Sequence, residues 1–153
     1  MEDLCQLSNT QTKDKYNGSY EKWFTNVIHK YSDYETIDKI NFYRLLLFCN
    51  IIGNTDMHHK NFTWYAKDDR YQLTPTYDLV PVMIVFSQED MVLTLNGKSK
   101  IWKNDFYKFG DYLDIKKEFN ERMMFDFINE TPLDKKLRKR FCDFIVKKVE
   151  SRY

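Results

Sequence analysis

Gly53-Asn54-Thr55-Asp56-Met57-His58-His59-Lys60-Asn61 is a dense polar stretch set between two apolar ones. Ahead of it, from about Tyr34 to Ile52, apolar side chains at Phe42, Tyr43, Leu45, Leu46, Leu47, Phe48, Ile51 and Ile52 surround the axis of any helix they form. A helix that is apolar nearly all round belongs in a core, and Gly53 is placed to end it. Behind the polar stretch, Phe62 to Ala66 and Tyr71 to Thr74 are short aromatic and β-branched runs joined by Lys67-Asp68-Asp69-Arg70, the pattern of a hairpin. Pro75 and Pro81 then bracket Thr76-Tyr77-Asp78-Leu79-Val80, where proline opposes both a helix and a central strand, so an ordered loop is expected. The order is therefore buried helix, polar loop, hairpin, second loop.

Working outward, Tyr20, Trp23, Phe24, Val27, Ile28 and Tyr31 form one apolar stripe at helical spacing, with Ser19 as its N-cap. Downstream, Met91 to Leu95 reads as a further strand with Asn96-Gly97 as a turn, and the chain becomes helical again near Asn104. Ile115, Phe119, Met123 and Phe127 recur every fourth residue, as do Leu133, Leu137, Phe141 and Ile145 after the Thr131-Pro132 start, giving two more core-facing helices. The sum is an α+β domain, mostly α-helical, with no internal repeat. At 153 residues and 42% hydrophobic content the chain fills one core and is read as a single domain, 1–153.

Bulk charge excludes several classes of function. Twenty-four basic against 23 acidic side chains leave +1, so no global field draws the chain to nucleic acid or an anionic membrane. Cys5, Cys49 and Cys142 have neither metal-ligand spacing nor an even count, which suits a reducing, cytoplasmic setting. No membrane span or export signal is readable. The basic run Lys135, Lys136, Arg138, Lys139, Arg140, Lys147 and Lys148 alternates with apolar helix positions and reads as a solvated face, so direct nucleic-acid binding is not expected. Trp23, Trp64 and Trp102 sit where core residues sit rather than on a stacking platform.

The polar loop carries a more particular pattern. Protein kinases place an aspartate and an asparagine five positions apart in their catalytic loop, the aspartate accepting the substrate hydroxyl proton and the asparagine holding magnesium. Asp56 and Asn61 have that separation, and Asp78, beyond the hairpin, is placed to be the second oxygen ligand of the metal. Each residue alone could simply cap a turn; together, in this order, they reproduce the wiring of a kinase C-lobe. Zinc is the weaker reading of His58 and His59, since neighbouring histidines seldom face one metal and no clustered Cys or His completes a tetrahedral set.

GNTDMHHKN followed by YQLTPTYDLVP resembles the HipA-type serine/threonine kinases, the toxin half of bacterial toxin–antitoxin pairs. EDLCQLSNTQTKDKYNGSY resembles the family's segment just after the hinge, so the likeness spans essentially the whole chain. It implies a protein-kinase-like C-lobe with a β-hairpin after the catalytic loop. Carried across, the catalytic base falls on Asp56, the metal ligands on Asn61 and Asp78, and further motif positions on His58 and Lys60, the lysine adding positive charge near the transferring group. The implied cofactors are Mg2+ and ATP. The implied partners are an N-lobe, a helix-turn-helix antitoxin and a protein substrate, for which an aminoacyl-tRNA synthetase is a family precedent.

Neither the glycine-rich loop that covers ATP phosphates nor the lysine-bearing strand of the smaller lobe can be found, as Gly18, Gly53, Gly97 and Gly110 are isolated. The expectation is a C-terminal lobe that is silent alone and competent when an N-lobe is supplied. A split kinase, a chain cut at the hinge and a degenerate fragment all fit. The alternative function is a catalytically inactive lobe that serves as a toxin–antitoxin interaction module.

Overall fold

The protein is described by a computed structural model covering residues 1–82 and 90–130 with Lys135 and Lys139, and only the backbone of residues 23, 24 and 127–130. The elements are β1 (Glu2–Asp3), α1 (Leu4–Leu7), α2 (Tyr20–Tyr31), α3 (Glu35–Ile52), β2 (Thr63–Lys67), β3 (Arg70–Leu73), α4 (Lys103–Tyr112) and α5 (Lys117–Glu130), with 3₁₀ turns at Thr12–Asp14 and His59–Asn61.

Helix α3 is the axis of the core. Phe42, Tyr43, Leu46, Leu47, Cys49, Ile51 and Ile52 are buried on it, and Gly53 ends it at φ 75°, a left-handed conformation that costs glycine little. An aromatic pile grows from its middle: Phe42 meets Phe62 edge-on at 5.0 Å and Phe109 at 5.9 Å, and Tyr43 stacks on Phe109 at 6.1 Å. Tyr20 joins the pile from α2, where Ser19 caps Lys22 N–H as expected. Rings crossing at these distances gain roughly 0.5–1.5 kcal/mol per pair beyond burial. The pile therefore fixes α2, α3, α4 and the start of the hairpin as one body.

The hairpin forms as anticipated, with Lys67 paired to Arg70 across a two-residue turn. Asp68 and Asp69 both take positive φ (53° and 59°), the conformation required by a type I′ connection. The sheet has a third member that the sequence pattern did not announce. β1 pairs antiparallel with β2 through Glu2↔Trp64 and Asp3↔Thr63, giving the order β1-β2-β3. Two residues are too short to show any alternation, so no periodicity could reveal them.

Three expectations are corrected. Met91, Leu93 and Leu95 are buried on one side, so the alternation is real, yet the segment is not a strand of any sheet. Its backbone bonds are shared out among separate partners: Met91 N–H to Ser99, Val92 N–H to Thr55, Thr94 N–H to Gly18, and Leu95 across the Asn96-Gly97 turn to Lys98. An extended chain threaded between loops leaves the same sequence signature as a ladder strand. On α5, Ile115 just ahead of the helix is buried and Met123 packs on the core, but Phe119 is 45% exposed and the neighbouring Asn120 is buried instead. Asn120 accepts the Tyr43 hydroxyl and lies against Gly110, whose missing Cβ leaves room for it. A buried polar side chain with partners displaced the aromatic residue to the surface. Trp64 is core, whereas Trp102 is about two-fifths exposed at the start of α4. Phe127's side chain, the expected final helix at Leu133 to Ile145 and most of the basic run lie outside the described residues. Among those described, no helix is long and apolar enough to cross a membrane.

Candidate functional site

The polar loop leaves α3 through Gly53 and is pinned at each successive residue. Asn54 is buried and its Nδ2 donates to the Asp78 carbonyl at 3.0 Å while touching Met57 Sδ at 3.2 Å. The Thr55 carbonyl accepts Val92 N–H at 3.0 Å. Met57 is fully buried, and its carbonyl accepts the hydroxyl of Tyr20, the base of the aromatic pile, at 2.9 Å. With Met57 driven inward, its neighbours Asp56 and His58 are left half-buried at the surface of the loop.

Asn61 and Asp78, separated by the whole hairpin, meet. Asn61 Nδ2 donates to Asp78 Oδ2 at 2.6 Å, and Asn61 Oδ1 accepts His58 N–H at 3.1 Å, which fixes which end of the amide faces the carboxylate. Asp78 sits at φ 57°, an uncommon conformation that aspartate tolerates better than most residues. It is held there by Asn54 on its carbonyl and Asn61 on its side chain. A third tie comes from Tyr77, whose hydroxyl donates to the Lys60 carbonyl at 2.7 Å and contacts Thr63 Oγ1 at 2.5 Å. The second loop is thus fastened to the first at Asn54, Lys60 and Asn61.

Asp56 lies on this loop with its carbonyl bound by His58 N–H at 3.0 Å. No hydrogen bond or ion pair engages its carboxylate among the described residues. His58 Nε2 lies 3.0 Å from Lys15 Nζ. Burial, then the neighbouring Lys15 charge, hold the His58 imidazole below its ordinary pKa, with Asp56 and Asp78 pulling weakly the other way. His59 is fully buried, its N–H bonded to the Lys15 carbonyl at 3.3 Å, and burial followed by the His58 charge lowers its pKa to about 4. Lys60 is exposed and lines a small polar cleft with Asp3, Gln6, Thr10 and Thr12, away from the Asn61–Asp78 contact. Of the five residues singled out from the sequence, Asn61 and Asp78 touch, His58 gives its backbone N–H to Asn61, and Asp56 is joined to His58 through its carbonyl. Sequence reasoning missed Asn54, Tyr77 and Lys15. Asn54 and Tyr77 each adjoin a chosen residue or its loop, but nothing in the spacing marks Lys15, which lies far back along the chain.

Among the described residues no three His, Cys, Asp or Glu side chains gather as a self-sufficient metal cage. The protein's own donors here are one carboxylate and one carboxamide, in contact, on two loops tied to each other.

Comparison with known proteins sets this geometry in a family. Residues 1–148 match the family model described as the HipA-like C-terminal domain. Y4dM of Sinorhizobium fredii, a protein named for a presumed kinase activity, is 28% identical over 136 residues, 86% of this chain and 32% of its own length. A chain from the Shewanella oneidensis MR-1 toxin–antitoxin complex of HipA, HipB and operator DNA superposes with a TM-score of 0.64 at 18% identity, over 93% of this chain and 40% of that one. This chain therefore spans about a third of the curated relative and two-fifths of the solved one, and the fold is that of a HipA-like, kinase-type C-lobe. The protein belongs to the HipA-like C-terminal domain family.

Proposed function

We propose that this chain is the catalytic lobe of a serine/threonine kinase, acting on a protein hydroxyl with the γ-phosphate of ATP once an N-lobe is supplied. The observation that carries this reading is the 2.6 Å contact between Asn61 and Asp78, with the unengaged Asp56 carboxylate on the same loop. Phosphoryl transfer asks the protein mainly for positioning and charge stabilisation, to which two mutually bonded side chains on tied loops and a free carboxylate beside them are suited. Asp56, an acceptor-only group when ionised, would orient the serine or threonine hydroxyl and take its proton. Asn61 and Asp78 would hold magnesium.

The donor set fits that ion. Magnesium takes hard oxygens, is satisfied by one or two protein ligands, and fills its remaining positions with phosphate and water. An amide nitrogen cannot ligate a cation, so Asn61 would offer the second lone pair of Oδ1, whose first accepts His58 N–H, and its Nδ2 would give up Asp78 Oδ2. Until then Asn61 Nδ2 supplies the positive partner that the Asp78 carboxylate would otherwise lack. Magnesium bound with ATP would neutralise the phosphate charge during transfer. Lys60 would have to swing from its present cleft to add charge there, and His58 would border the transferring group.

The partners follow the same reading: an N-lobe carrying the phosphate-covering loop, a protein substrate, and a helix-turn-helix antitoxin, an antitoxin partner being in keeping with the HipA neighbour's complex with HipB and operator DNA. The decisive experiment mixes the chain with a separately supplied N-lobe and Mg-ATP, and looks for new phosphoserine or phosphothreonine by mass spectrometry. The chain alone should transfer nothing. An assembly that binds Mg-ATP and still transfers nothing would leave the non-catalytic interaction module.

A further inference from the structure

Lys15 stands ahead of α2, inside the N-terminal stretch that carries part of the family likeness but outside the polar loop and its spacing, yet it holds that loop twice. Its Nζ reaches His58 Nε2 at 3.0 Å and its carbonyl accepts His59 N–H at 3.3 Å. The same Nζ lies 4.6 Å from the centre of the Tyr16 ring, and that ring meets His58 edge-on at 5.2 Å. Side chain, main chain and aromatic neighbour all converge on the two histidines that precede Lys60 and Asn61.

The chemistry of the first contact is one-directional. An ammonium has three donors and no acceptor, so His58 Nε2 must accept, and the neutral ring then carries its proton on Nδ1. That is the less common tautomer of free histidine; an acceptor at Nδ1 or a donor at Nε2 selects it, and since the buried Nδ1 has no hydrogen-bond partner among the described residues, Lys15 is the group that does so here. His58 in turn gives its backbone N–H to Asn61 Oδ1, the bond that orients the amide beside Asp78.

We propose that Lys15 is a positioning residue for the site: it locks His58 as the Nδ1–H tautomer and thereby holds the loop in the shape that sets Asn61 against Asp78. Its meaning for phosphoryl transfer rests on the kinase reading above; the tautomer and the loop geometry do not. Residues that orient the ligands of a metal without touching it commonly change affinity by about 10–100-fold when removed.

The test uses the full chain, with Lys15→Met to remove the donor while keeping the stem, and Lys15→Arg to keep a cationic donor. Long-range ¹H–¹⁵N correlation of the histidine rings, at a pH where they are neutral and with His58→Asn to assign the signals, reads the tautomer directly. Wild type and Lys15→Arg should show His58 protonated on Nδ1, and Lys15→Met should revert mainly to Nε2–H. A wild-type ring protonated on Nε2, or one unchanged in Lys15→Met, overturns the proposal.

Mn2+, titrated by electron paramagnetic resonance, is the second readout, and it separates positioning from plain charge. Removing a cation from the neighbourhood of a cation site should tighten Mn2+ binding, whereas loss of positioning weakens it by about tenfold. Weaker binding in Lys15→Met, restored in Lys15→Arg, supports the proposal; tighter or equal binding overturns it. If wild type binds no Mn2+ at all, the metal reading of Asn61 and Asp78 falls, and the tautomer alone decides the role of Lys15.

Discussion

Two regions of the molecule set aspartates beside tightly held backbone, and they use them to different ends. At the corner between α2 and α3, Asp38 is buried and its Oδ2 accepts both Ser32 Oγ at 2.6 Å and Leu73 N–H at 3.0 Å. Beside it, Asp33 takes Tyr71 N–H on its side chain at 2.7 Å and gives its own N–H to Tyr71 O at 2.9 Å. The outer edge of β3 is closed by these bonds, so it offers no ladder to another strand. At the polar loop the backbone is instead held by neutral groups, the Asn54 amide and the hydroxyls of Tyr20 and Tyr77, while the carboxylates stay largely uncommitted. Asp78 receives one amide donor and Asp56 none among the described residues. A carboxylate spent on backbone is structure; one held in place by other groups, with lone pairs to spare, is available for chemistry.

The sharpest way to break this contrast is to delete an uncommitted carboxylate. In the two-lobe assembly, Asp78→Ala or Asp56→Ala should lower phosphoryl transfer by at least about 100-fold, as loss of a preorganised charged group does, with the urea midpoint nearly unchanged. Retained activity would make these carboxylates ordinary loop residues.

Deleting the committed one should do the reverse. Asp38→Ala leaves Leu73 N–H and Ser32 without their acceptor in a buried corner, at a cost of about 2–3 kcal/mol measured by urea unfolding. Burial, opposed by the Ser32 and Leu73 hydrogen bonds, raises the Asp38 pKa above its ordinary 3.8. A carboxyl raised in the folded state contributes most below the unfolded value, and that contribution is lost as pH rises through the folded one. Wild type should therefore lose stability relative to Asp38→Asn as pH climbs above about 4 and then level off. A gap that instead moves in favour of wild type with pH would mean that the hydrogen bonds outweigh burial.

The contrast also explains what could be read in advance. The helices of the core, the hairpin and its turn were legible because burial imposes a period and glycine or aspartate marks where it stops. Asn61 and Asp78 were legible only as a pair in kinase order, since either alone has the composition of a turn. β1 was too short for any period, the Met91–Leu95 run had strand alternation without a sheet, and Phe119 lost its place to Asn120. Each of these was decided by a partner far away in sequence. Lys15 was invisible for the same reason: its role depends on where His58 arrives, and spacing along the chain holds no trace of that.

Asn54 sharpens the division between the two regions, because it is structural in kind but acts on Asp78, a residue the proposed function uses. Asn54→Ala frees the Asp78 carbonyl and loosens a residue held at φ 57°. The expected loss is about 1 kcal/mol of stability together with roughly tenfold in transfer, the activity falling through Asp78 rather than through unfolding. A variant that melts early but transfers normally would show that the second loop needs only its Asn61 and Tyr77 ties.

The smallest effect belongs to a carboxylate with partners but little burial. Glu35, in the first turn of α3, accepts His29 Nδ1 at 2.9 Å and Lys39 Nζ one turn on. The Lys39 hydrogen bond, more than anything else, lowers its pKa below 4.5. With the carboxylate two-fifths exposed, water and salt screen the pair, so Lys39→Ala should cost only about 0.3–0.5 kcal/mol. The sign is opposite to that at Asp38: a lowered pKa gives stability that is present above 4.5 and lost as pH falls through the folded value. The cost of Lys39→Ala should therefore vanish in acid and in high salt, while that of Asp38→Ala survives both. If the two respond alike, burial is not what separates a structural carboxylate from an exposed one in this fold.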